Sequence, residues 1–126
     1  MKTLSLPWTM VAADSTTEVF LPATGWMQAA DVAKIRTNFE LRGVTGTINV
    51  LVGYQTANVE NSPDAATNTG TFQTSGGVYF GSSFTDVSAA MQAKQLVRFG
   101  FVVKLTSGST LSVARAGGSV DIIKPA

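Results

Sequence analysis

Two alternating runs placed back to back, Gln95 to Gly118 (QLVRFGFVVKLTSGSTLSVARAGG), constrain this chain more than any other stretch. Val97, Phe99, Phe101, Val103 and Leu105 alternate with Arg98, Gly100, Val102 and Lys104, the period of a strand with one buried face. The run breaks at Thr106-Ser107-Gly108, and a second alternation starts at Ser109. A loop of those residues, with Gly108 in the left-handed position, predicts a hairpin. Its register sets Val103 against Leu111 and Phe101 against Val113 on the buried side. The other side carries Arg98 against Ala116, Gly100 against Ala114 and Val102 against Ser112, a flat patch with little side-chain cover. Glycine inside a strand often marks close approach of another backbone or a ligand. This patch, and the out-of-phase Leu51, are therefore expected to be covered by the chain itself or by a neighbouring subunit.

The remaining chain follows the same grammar. Ile35, Phe39 and Leu41 fall in phase with Ile48, Val50 and Tyr54 across Gly43–Gly46, which predicts a second hairpin. Leu4, Leu6, Trp8 and Met10 alternate, and Pro7 on the opposite phase marks an edge strand, because proline cannot donate to a ladder. Val19–Leu21 is a short apolar run stopped by Pro22, and Trp26–Ala30 reads as either a helical turn or a strand lead-in. Ala57–Thr69 lacks periodicity and reads as an exposed loop. Gly70–Thr74 and Val78–Phe80 read as short strands, and Asp86 is placed to cap a short helix over Val87–Lys94. Gly76-Gly77 and Gly117-Gly118 match no phosphate-loop spacing and read as turns or strand ends, the second pair before a last run through Val120 and Ile122. Short strands at turn intervals of roughly ten residues predict an all-β fold. The expectation is one domain over residues 1–126, a two-sheet antiparallel β-sandwich, jelly-roll-like, with at most one short helix.

The chemistry available is thin. With no cysteine and no histidine, thiolate and imidazole sites are impossible, and the usual general base at neutral pH is missing. Asp14 and Glu18, or Asn58, Glu60, Asn61 and Asp64, offer oxygen ligands but no calcium-loop spacing. Glu40 and Asp121 are the carboxylates in or near strands, and nothing in the spacing joins them as a glycosidase pair. No enzyme activity, metal or cofactor is expected. Lys and Arg are scattered at a net charge of +1, which argues against nucleic acid. No apolar run approaches membrane-spanning length. The opening MKTLSLPWTMVAADS is interrupted by Ser5, Pro7 and Thr9, so it reads as a strand and not as a secretory signal. Charged residues make up 13%, against roughly 25% in an average domain, which suits a surface partly covered by other chains. The candidate protein interface is Leu4, Leu6, Trp8, Leu51, Gly100, Val102, Ala114 and Ala116. Trp8, Trp26, Tyr79, Phe80 and Phe84 are the aromatics that the hairpins leave unplaced. Core filling is one role for them, with Trp8 in phase with Leu4 and Leu6. The alternative is a carbohydrate-binding or receptor-binding module that stacks sugars on exposed rings.

In composition and strand pattern the whole chain resembles the small capsid decoration (cement) proteins of tailed bacteriophages. RTNFELRGVTGTINVLVGY and LVRFGFVVKLTSGSTLSVARAGG contribute most to the likeness. No motif carries a functional residue across. The resemblance implies a virion protein, made in the host cytoplasm without a signal peptide, that sits on the capsid surface. It also implies a homo-oligomer, a dimer or trimer, that bridges subunits of the major capsid protein or other virion subunits. Leu4–Met10 is the stretch expected to add a strand to a partner, so that removing residues 1–10 leaves a folded domain.

Overall fold

The computed structural model describes all 126 residues, Met1 to Ala126. In chain order the strands are β1 (Lys2–Ala13), β2 (Val19–Pro22), β3 (Met27–Gln28), β4 (Lys34–Thr45), β5 (Ile48–Ala57), β6 (Thr67–Asn68), β7 (Gly77–Phe80), β8 (Thr85–Asp86), β9 (Leu96–Leu105) and β10 (Ser112–Ile123). A 3₁₀ turn covers Ala29–Asp31, so Trp26–Ala30 is a short strand leading into a turn. The single helix, α1, is Ser88–Gln92. Sheet A has the order β1-β10-β4-β7, with β8 on the same edge of β4 as β7; sheet B has the order β2-β9-β5-β6, with β3 beside β2 on β9. All pairings are antiparallel. Counting β2/β3 and β7/β8 as interrupted strands leaves four per sheet, interleaved as in a jelly roll.

That topology overturns both expected hairpins, although β4, β5 and β9 bury the faces expected of them. Val103 pairs with Val50 and Val19, not Leu111, and Phe101 pairs with Val52 and Leu21. β10 lies in the other sheet, between β1 and β4. Likewise Leu41 pairs with Ala116 and Gly77, while Ile48 pairs with Leu105. Both loops therefore carry the chain from one sheet to the other. Matched hydrophobic phase requires only that two strands bury facing sides, which is equally true of strands opposed across a sandwich core. Gly108 does take a left-handed conformation (φ +83°) at its loop.

The assumed pairing also reversed the phase of β10. Ala114 and Ala116, expected to face out, are fully buried in the core with Val120 and Ile122, and Leu111 is 65% exposed. Small residues there leave room for the large core rings Phe99 and Phe101, which share that cluster. Gly117-Gly118 ends no strand; both lie inside β10. Gly70–Thr74 forms no strand of its own. β6 comes earlier, and Gln73 makes an isolated bridge to Val50. Helix α1 is shorter than expected. Asp86 accepts a hydrogen bond from the Ser88 N–H at 2.9 Å, but Lys94 lies beyond the helix and pairs with Asp64 at 3.0 Å.

β1 is an edge strand, as Pro7 suggested, and it carries a bulge. Leu6 pairs with Gly118 and Thr9 with Ala116, so Pro7 and Trp8 together oppose the single residue Gly117. The extra residue flips the alternation. Leu6 is buried before it, Val11 and Ala13 after it, and Trp8 is turned out, 46% exposed. Trp8 is therefore not core filling. β1 pairs with β10 from Lys2 to Ala13 and sends Leu6 and Val11 into the core, so residues 1–10 are part of the folded domain.

Candidate functional site: an open box on sheet A

Register alone lays out the outer face of sheet A in rows across the strands. One row is Thr3, Asp121 and Arg36; the next is Ser5, Ser119, Asn38 and Phe80. Then come Gly117, Glu40 and Val78, with Trp8 bulged over Gly117, and finally Met10, Arg115 and Arg42. Small or short residues thus occupy the centre of the two middle rows, Phe80 and Val78 stand at one edge, and the Trp8 ring reaches in from the other edge over Gly117. The result is a hollow of about 380 Å³, lined by residues of all four strands of the sheet. Three strand spacings, about 14 Å, separate the backbones of its Trp8 and Phe80 walls.

Rows of charged residues flank it at both ends. Asp121, 6% exposed, accepts hydrogen bonds from the Thr3 hydroxyl (2.8 Å), the Arg36 guanidinium (2.9 and 3.0 Å) and the Asn38 amide (3.4 Å). Burial pushes the Asp121 carboxyl up, but the bonds from Thr3 and Arg36, with the Arg36 charge, outweigh it and hold the group below the usual range. At the other end Arg42 binds Glu40 and sits 5.0 Å from the Trp8 ring. A Cβ on Gly117 would lie 2.7 Å from Trp8 Cδ2 and 3.0 Å from Cε2, so the absence of a side chain lets the indole lie on the strand.

The polar lining is only partly engaged. No hydrogen bond inside the chain involves the Ser5 or Ser119 hydroxyl or the Trp8 indole N–H, and Glu40 uses only Oε2. A larger cleft, about 480 Å³, opens between β6 and α1 over Ile35 and Tyr54. Its polar groups are mostly paired: Asp86 with Ser88, Asn68 with Glu18, and Thr69 with the Val52 carbonyl.

Of the eight residues expected at an interface, six lie inside the chain: Leu6, Leu51, Gly100, Val102, Ala114 and Ala116. Leu4 is half-buried against the core, and Trp8 is exposed. Leu51, Gly100 and Val102 do face outward, from sheet B, but the chain covers them. Phe20 lies over Gly100, and Phe72 packs against Lys104 (4.5 Å) beyond Val102. Trp26 stacks against Arg98 at 4.4 Å, Tyr79 packs inward on Phe39 at 5.1 Å, and Phe84 lies 4.5 Å from the Arg36 guanidinium. Phe80 stands out, 77% exposed, beside Val78 at 52%. The sequence marked Trp8 and Phe80 separately; the bulge and the pairing of β4 with β7 bring them to one hollow.

Glu40 and Asp121 share this face. Glu40 opposes Gly117, four residues from Asp121 along β10, a separation of roughly 13 Å. Glycosidase pairs lie about 5–9.5 Å apart with one raised pKa, so these two do not form one. No group of three or more acidic side chains converges to hold a metal.

No protein-family model matches the sequence, and no curated protein sequence does. Two solved structures are similar in fold. One, from infectious bursal disease virus strain Gt, has a TM-score of 0.61 at 6% identity; the other, from strain Gx, has 0.63 at 8%. Each match covers 94% of this chain but only 32% and 30% of the viral chains, so this chain spans about a third of their length. The likeness is one of fold: nearly the whole chain superposes on part of a virus protein.

Proposed function

We propose that this chain is a non-enzymatic structural component of a virion, a decoration or cement subunit that binds an assembled shell and bridges its subunits. The observation that supports it best is that 94% of the chain superposes on chains in structures of a virus. A tailed-phage capsid is the setting implied by the sequence resemblance, with major capsid subunits as partners and a dimer or trimer as the working form. The mechanism is mass action: a clamp that binds only the assembled shell stabilises it in proportion to that differential affinity.

The docking surface is the end of sheet A beyond the box. There Met10 (64% exposed) and Leu111 (65% exposed) stand beside the free edge of β1. The bulge and Pro7 blunt the middle of that edge, which leaves its ends to pair with a neighbour. The test is co-sedimentation with shells from the native source. Wild type should pellet with them, and the double variant Met10→Asp, Leu111→Asp, folded by circular dichroism, should stay in solution. Unchanged pelleting of the variant would refute this docking surface; failure of wild type to pellet would refute the virion reading itself.

A further inference from the structure

We propose that the box on sheet A is a binding site for a neutral saccharide ring, a ligand-binding activity separate from shell attachment. Saccharides present two kinds of surface, patches of C–H and a rim of hydroxyls, and a site for them needs both aromatic faces and unpaired hydrogen-bonding groups. The box supplies both. Phe80 stands exposed at one side, and the half-exposed Trp8 ring reaches in from the other over Gly117. Among the lining residues the Ser5 and Ser119 hydroxyls, the Trp8 indole N–H and the free oxygen of Glu40 have no partner within the chain.

Other occupants fit worse. An apolar side chain from a protein partner would bury those groups without hydrogen bonds, which is costly. An extended peptide would run on past the hollow onto the row of Asp121 and Arg36 at one end and the row of Arg115 and Arg42 at the other, whose charged groups it would have to desolvate. A compact ligand avoids both rows, and about 380 Å³ suits one or two sugar rings. Glu40, the one charged residue of the lining, already has Arg42 as its counter-ion through Oε2, so the hollow offers no unpaired charge to a charged sugar and leaves only Oε1 free. A neutral sugar lets that oxygen accept a hydroxyl proton in a charge-assisted hydrogen bond.

The test uses the full chain labelled with ¹⁵N. Two tryptophans give two indole N–H signals, assigned with Trp26→Phe. The probes are a printed array of neutral mono- to tetrasaccharides, then titration with the free form of the best binder. Binding should move the Trp8 signal, leave the Trp26 signal in place, and weaken about tenfold in Phe80→Ala, the share one aromatic contact supplies. Phe80 packs outside the core, so that variant folds. The proposal is overturned if no saccharide moves the Trp8 signal, if Phe80→Ala binds as well as wild type, or if Phe80→Ala loses shell pelleting while no sugar binds. The last result would make the box a protein contact and leave the virion reading standing; loss of pelleting in wild type alone would leave the sugar site standing.

Discussion

The two outer sheet faces of this molecule are built on opposite plans. Sheet B covers itself: Leu51 and Val102 are 1% exposed although they point away from the core, and Phe20, Trp26 and Arg98 form a second layer beside them. Arg98 completes that layer by donating to the Gln55 side-chain oxygen Oε1 at 2.8 and 3.0 Å. Sheet A is held by polar cross-strand bonds around Asp121 and leaves Phe80 and Trp8 exposed on its outer face. A face finished by its own chain has little left to offer a partner. A face with exposed rings beside unpaired polar groups still has contacts to make.

The glycines under the two aromatic layers give the sharpest way to break this comparison. A Cβ on Gly100 would lie 2.2 Å from the Leu21 carbonyl oxygen and 2.9 Å from Pro22 Cα, atoms of the β2 backbone that cannot swing aside. Gly100→Ala should therefore push β2 off β9 and cost about 3 kcal/mol, measured by urea denaturation. A loss under about 1 kcal/mol would mean that the cover on sheet B is loose.

Asp121 tests the polar plan of sheet A. Asp121→Asn keeps an acceptor for Thr3 but removes the charge facing Arg36, and should cost about 1.5 kcal/mol at pH 7. The sign of the pH effect follows from the depressed carboxyl. Its stabilisation is fully present above the unfolded value of about 3.9 and is lost as pH falls through the lower folded value. Wild type should thus lose more stability than the variant between neutral and acid pH. Part of the slope should remain, because Asp64, bonded to Lys94, and Asp86, bonded to Ser88, are depressed as well. Parallel curves for the two proteins would show that Asp121 does not organise this face.

The fold class and the inward face of β9 were legible because both rest on period-2 alternation, and every residue from Val97 to Leu105 on that phase is buried. Pairing was not legible. The turn chemistry at Gly108 is the same for a hairpin and for a crossing between sheets, and the apolar Leu111 and Val113 signalled the wrong face of β10 against the small Ala114 and Ala116. The box was half legible. Pro7 marked an edge, but the bulge beside it, which turns Trp8 from the Leu6 side to the outside, leaves no periodic trace. Nor does sequence place Phe80 across from Ser5, since that depends on β7 reaching β4 after a turn through the other sheet.

The smallest expected effect is at Gly117, and it carries the comparison furthest. The three atoms nearest its missing Cβ all belong to the Trp8 ring, at 2.7–3.0 Å, a side chain and not a strand backbone as at Gly100. Trp8 sits on a bulge outside the core, so the ring can swing out. Gly117→Ala also lowers the entropy of the unfolded chain, which offsets part of the displacement. Net stability should change by less than about 1 kcal/mol, while Trp8 emission shifts to the red as the indole leaves the strand. In a Trp8→Ala background the same substitution should be neutral or slightly stabilising, because the clash is gone and the entropy gain remains. If Gly117→Ala instead costs as much as Gly100→Ala, and Trp8→Ala does not relieve it, then Trp8 is fastened down like Phe20. Sheet A would then be as finished as sheet B, and its hollow merely a gap between fixed side chains.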